Sequence, residues 1–126
     1  MTGDIAFGNK NASGVKSFTL NGEIDDGTKT TTATIDFTTG QYHKVLLTNG
    51  SNIVFTFTAP NGPCVCHLKI TQASVGGQTM TLPSGKWPGN YAAGDKLLST
   101  ANNAIDILVA KWDGAAWWYT LSKAWA

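Results

Sequence analysis

Between Asp26 and Pro60 the chain reads DGTKTTTATIDFTTGQYHKVLLTNGSNIVFTFTAP, three alternating runs divided by glycine turns. In the first run Ala33, Ile35 and Phe37 fall on one side, and Thr32, Thr34 and Asp36 on the other. That is the period of a half-buried strand, because successive side chains of extended backbone leave on opposite faces. Thr39-Gly40 turns the chain, and Tyr42 to Thr48 follows with Val45 and Leu47 on a common face. Asn49 and Gly50 both tolerate positive φ, so the pair reads as a hairpin turn. Ile53 to Thr58 is then a third strand with Ile53, Phe55 and Phe57 inward. The expectation is a β-meander whose business is surface contact.

The rest of the chain continues in kind. Cys64 to Gln72 places Cys64, Cys66, Leu68 and Ile70 on one face and Val65, His67, Lys69 and Thr71 on the other. Gln78 to Leu82 is a shorter run after Gly76-Gly77. Pro83 to Thr100 reads as irregular, with one helical turn over Ala92 to Ala101 as the alternative. Ala104 to Trp112 is nearly continuous apolar sequence, Asp113-Gly114 a second hairpin signal, and Ala115 to Lys123 the returning strand. Before the first confident strand, Ser17 to Ile24 alternates weakly and Asp25-Asp26-Gly27 reads as a turn. Turn signals this regular predict an all-β fold. Its expected form is a jelly-roll-like β-sandwich of seven to eight short antiparallel strands over residues 23–126. Residues 1–22, rich in Gly and Asn, read as a flexible N-terminal arm.

A chain of 126 residues corresponds to one domain, large enough to bury roughly two-thirds of its unfolded surface. Charged residues make up only 13% of it, against about 25% in an average soluble domain. So little charge points to a surface that meets other protein. The nine basic residues are all lysines and the net charge is +1. Arginine is the residue that reads phosphates and guanine edges bidentately, so its absence argues against a nucleic-acid partner. No apolar run approaches the ~20 residues of a membrane span. The opening residues, with Asp4 and no apolar run, do not read as a secretory signal. Synthesis and assembly are therefore expected in a reducing cytoplasm.

The chemically capable residues are few. Cys64-x-Cys66-His67 is spaced too tightly for a zinc half-site, and strand geometry turns His67 away from both thiols. The cysteines read as free apolar residues. Only His43 and His67 are available as a catalytic base, and no nucleophile elbow accompanies them. Asp25, Asp26 and Asp113 lie in turn signals, whereas Asp106 sits in an apolar strand and needs a hydrogen-bond partner. No cofactor is expected, and the chain reads as no enzyme. The five tryptophans are the unusual feature. Trp117 and Trp118 are adjacent in a strand, so one faces the core and the other an outer surface. Trp87, in a Pro-Gly loop, is a candidate for stacking on a sugar ring.

A series of short motifs carries a resemblance. Asp26-Gly27-Thr28-Lys29, residues 34–37, Phe55-Thr56-Phe57, Lys69-Ile70-Thr71-Gln72, Lys86-Trp87-Pro88-Gly89, Ala104-Ile105-Asp106-Ile107 and Trp112-Asp113-Gly114 occur in that order. The series resembles a small β-sandwich module of tailed-bacteriophage virion proteins, found in tail-fibre, head-fibre and capsid-decoration proteins, over about residues 23–122. The resemblance implies a structural role, typically as a trimer, and carries no catalytic residue. Fibres precede the module with a long shaft, whereas about 25 residues precede it here. The expectation is therefore a capsid decoration (cement) protein located on the virion and contacting the major capsid protein. The alternative is a tail- or head-fibre tip that binds host-surface carbohydrate. Ile5, Phe7, Trp118 and Trp125 are the expected interface residues, and Trp87 the expected glycan contact.

Overall fold

The computed structural model describes residues 22–125. The expected arm, with Ile5 and Phe7, and most of the weak run Ser17 to Ile24 lie outside the described residues. Among the described residues there are nine strands: β1 (Ile24–Lys29), β2 (Thr32–Asp36), β3 (Tyr42–Leu47), β4 (Asn52–Thr58), β5 (Cys64–Gln72), β6 (Thr79–Thr81), β7 (Gly85–Lys86), β8 (Ile105–Trp112) and β9 (Trp117–Trp125). A 3-10 turn spans Ala93–Lys96. The fold is all-β. A six-stranded sheet runs β1-β3-β5-β8-β9-β7 and a three-stranded sheet runs β2-β4-β6.

The pairing departs from the antiparallel meander. β1 to β6 alternate between the sheets, and each pairs parallel with the strand two places along. The chain thus winds as a flattened coil, in which one strand of the opposite sheet serves as the crossover that parallel strands require. Burial explains why. β3 must bury His43, Val45 and Leu47, and β4 must bury Ile53 and Phe55. Placed on opposite sheets, the two apolar faces meet each other. Asn49 (φ 81°) and Gly50 (φ 61°) do adopt positive φ, but they carry the chain between sheets instead of closing a hairpin. The Ser51 hydroxyl ties this crossing to the one between β1 and β2 by donating to the Thr30 carbonyl at 2.8 Å.

Among the described residues, antiparallel pairing is confined to β5–β8 and β8–β9. Asp113-Gly114 is a true hairpin turn, with Gly114 at φ 100°. Two further expectations are corrected. Asp25-Asp26-Gly27 lies inside β1, where it makes a bulge: the register slips between Asp25 and Thr28, and Gly27 at φ 79° absorbs the kink. Residues 83–100, expected to be irregular, hold the short strand β7, and the 3-10 turn falls within the helical alternative read over Ala92 to Ala101.

One hydrophobic cluster receives side chains from both sheets. Ala33, Ile35, Ile53 and Phe55 come from the small sheet, and Val45, Leu47, Leu68, Ile70 and Leu108 from the large one. One part of it is aromatic. Phe37 lies 5.2 Å from Phe57 and 5.6 Å from Trp117, and Trp112 lies 4.9 Å from Trp117, between ring centroids. Such edge and tilted contacts add to the large area that each ring buries.

Candidate binding face and aromatic cleft

The inner face of the six-stranded sheet is filled; its outer face has no covering layer among the described residues. Strand register places the outward side chains in rows. Tyr42, His67, Val109 and Thr120 form one row, and Leu46, Thr71, Ile105 and Trp125 another. Tyr42, Leu46, Val65, Trp118 and Trp125 are exposed, while Tyr42 stacks on His67 with centroids 4.7 Å apart. Between these rows run Lys44, Lys69 and Ile107. Both lysines have acidic partners: Lys69 Nζ lies 2.8 Å from Glu23 and Lys44 Nζ 3.9 Å from Asp25. The middle of the face is thus charge-compensated.

At one corner of this face lies a cleft of about 520 Å³, lined among others by Val65, Lys86, Trp87, Lys111 and Trp118. Lys111, Trp118 and Lys86 stand side by side on β8, β9 and β7. Lys86 Nζ sits 4.5 Å from the Trp118 ring centroid, a cation–π contact. The Trp118 indole Nε1 donates to the Asp113 carboxylate at 2.7 Å. That same carboxylate accepts the Ala115 and Ala116 N–H groups of the hairpin turn. These donors, the indole first, hold the Asp113 carboxyl down at about 2. Trp87 is half-buried and rests on Tyr119 and Tyr91, at 5.3 and 5.8 Å. β7 can lie this close because Gly85 has no side chain: a Cβ there would run into the buried Tyr119 ring.

The residues weighed for chemistry are engaged elsewhere. His43 is 1% exposed. Its Nδ1 faces Asp26 Oδ2 at 2.7 Å and its Nε2 faces the Gly40 carbonyl at 3.0 Å. Both ring nitrogens meet acceptors inside the protein, so neither is free to serve a substrate. The pair pins the β1 bulge to β3. His67 points outward against Tyr42, away from the thiols. Cys64 and Cys66 are free, with sulfurs 3.7 Å apart. Burial foremost, then the Cys64 neighbour, pushes the Cys66 thiol up to about 12, which leaves it protonated and unreactive. Asp106 is buried and accepts N–H groups from Ser99 at 2.6 Å and Ala124 at 2.8 Å. It has a structural partner at each oxygen, as its place in an apolar strand required. Among the described residues, no group of three potential metal ligands comes together.

Trp117 faces the core at 5% exposure, whereas Trp118 faces outward at 43%. The structure brings Trp87 and Trp118 to one cleft and sets Trp125 in a different row of the same sheet face. Sequence reasoning missed Lys86, Lys111 and Gly85. The Lys111–Trp118 pairing follows from the hairpin register and was legible in principle; the arrival of β7 beside Trp118 has no local signal. Compared with known families, curated proteins and solved structures, the chain matches none.

Proposed function

We propose that this protein is a structural subunit of a tailed-bacteriophage virion. In this reading it is a trimeric capsid decoration protein that stabilises a shell by surface contact and catalyses nothing. Its two sheets act as a sandwich-like slab with one working face. The observation that carries the reading is the open apolar face of the six-stranded sheet, with Tyr42, Leu46, Ile107, Val109 and Trp125 on it. Interfaces that last bury an apolar, aromatic-rich centre with few unpaired charges. Here the central lysines already have partners, which lowers the cost of removing them from water. Sister copies are assigned to this face, and the major capsid protein to the trimer they build.

The test is native mass, followed by shell binding. The purified protein should run at three times the 13.3 kDa chain mass, and it should saturate empty shells. Ile107→Glu, at the middle of the face, should give a folded monomer that no longer decorates. A wild-type monomer indifferent to shells would overturn the proposal.

A further inference from the structure

The aromatic cleft carries a second inference, independent of the virion reading. Four stretches of chain converge on it: the start of β5, β7 with the loop behind it, the end of β8 and the start of β9. We propose that this cleft binds an acidic pyranose, a sugar ring bearing a carboxylate, within a polysaccharide. The ring lies against Trp118 and Trp87, and the carboxylate is held by Lys86 and Lys111.

The aromatic surfaces are prepared in advance. Trp118 keeps its ring fixed through the Asp113 hydrogen bond at 2.7 Å although it is 43% exposed. Trp87 is backed by Tyr119 and Tyr91. An exposed tryptophan held by its own carboxylate is a rigid platform, and rigidity removes much of the ordering cost of binding. The negative faces of indole rings attract polarised C–H groups such as those of a pyranose. A mostly apolar concavity with a few convergent polar groups is the usual form of a small-ligand site.

Charge selects among sugars. Strand spacing puts Lys111 and Lys86 about 5 Å to either side of Trp118. Among the described residues no carboxylate lines the cleft; Asp113, beside Trp118, is occupied by the indole and two backbone N–H groups. An entering carboxylate therefore meets two ammonium groups, one already poised over the stacking ring. A neutral sugar gains only the stacking.

The experiment titrates the whole chain with methyl β-D-glucuronide, with the matched methyl β-D-glucoside and with short oligogalacturonates, followed by tryptophan fluorescence and calorimetry. Saturable binding of the acidic ligands is expected, with the glucoside weaker by roughly fivefold or more. Trp118→Ala should weaken acidic binding roughly tenfold, and Trp118→Phe, which keeps an aromatic face but loses the Asp113 tether, should fall between Trp118→Ala and the wild type. Lys86→Ala combined with Lys111→Ala should erase the preference for acid and its salt dependence. Circular dichroism checks the fold, and the Phe and lysine variants decide the matter if Trp118→Ala unfolds. The proposal is overturned by no saturation up to about 50 mM ligand, where even a millimolar site is filled. Equal affinity for glucoside, or binding indifferent to all of these variants, overturns it as well. Tighter saturation by a single-stranded oligonucleotide that protects Trp118 would reassign the cleft.

Discussion

The chain contains two turns that look alike and do opposite things. Asn49-Gly50 and Asp113-Gly114 both follow an apolar strand, both place glycine at positive φ, and both precede another alternating strand. The first sends the chain across to the other sheet, and the flanking strands become parallel neighbours of strands further along. The second folds β9 back onto β8. Turn chemistry sets the backbone angles that a few residues can reach; it does not set the direction in which the chain leaves. That direction is decided by where the next apolar face can be buried. β3 and β4 satisfy each other from opposite sheets. The alternating rows of β8 and β9 bury Leu108, Ala110, Trp117, Tyr119 and Leu121 on one side of one sheet.

The molecule thus divides into a parallel coil, β1–β6, and an antiparallel hairpin, β8–β9, and this division can be broken experimentally. The largest effect is expected from Asp106→Ala. The variant strips partners from the Ser99 and Ala124 N–H groups and should cost about 2–3 kcal/mol in denaturant unfolding. Hydrogen exchange should then rise at the end of β9 while β3 and β5 keep their protection. Equal loss across the coil would show that the two halves unfold as one unit. Smaller effects are expected from Gly50→Ala and Gly114→Ala. Each forces a side chain into the left-handed region, φ 61° and 100° respectively, at about 1–2 kcal/mol. Thermal unfolding should show Gly114→Ala as the costlier of the two, because φ 61° lies within the small left-handed region open to L-residues and φ 100° lies outside it. The reverse ranking would mean that tertiary strain at the Gly50 crossing outweighs backbone preference.

The smallest effect concerns pH. Asp113 is held at about 2 in the folded protein, below the roughly 3.9 of an unfolded aspartate. Its contribution to stability is therefore complete above the unfolded value and is lost as pH falls toward the folded one. Asp113→Asn should flatten the loss of stability between about pH 4 and pH 2. It should also leave Trp118 fluorescence insensitive to acid over that range. Persistence of the wild-type slope would detach Asp113 from the hairpin's acid response.

Several elements are legible in the order of residues alone. β5 occupies the residues assigned to the fourth strand, Cys64–Gln72, because nine residues of strict alternation between two turn signals allow no other period. β2, β4 and β8 agree to within a residue or so for the same reason. Asp106 announced its need for partners by being an acid in an apolar strand. The Asp25-Asp26-Gly27 segment misled because a bulge and a turn use the same residues: both want a glycine at positive φ beside an aspartate that can accept a backbone N–H. The site was half legible. Adjacent Trp117 and Trp118 had to face opposite ways, but Lys86, which reaches over Trp118, belongs to a strand of two residues with no pattern of its own.

By itself the sequence determined that this chain is all-β, where most of its strands begin and end, and which side chains those strands turn inward, since these follow from backbone period and turn preference within a few neighbouring residues. Only the tertiary structure decided that β1 to β6 wind in parallel, that β7 docks on β9 and that Trp87, Trp118, Lys86 and Lys111 share one cleft. Those outcomes depend on which apolar faces find each other across long stretches of chain. That choice is made by the burial of the whole core, and no local segment encodes it.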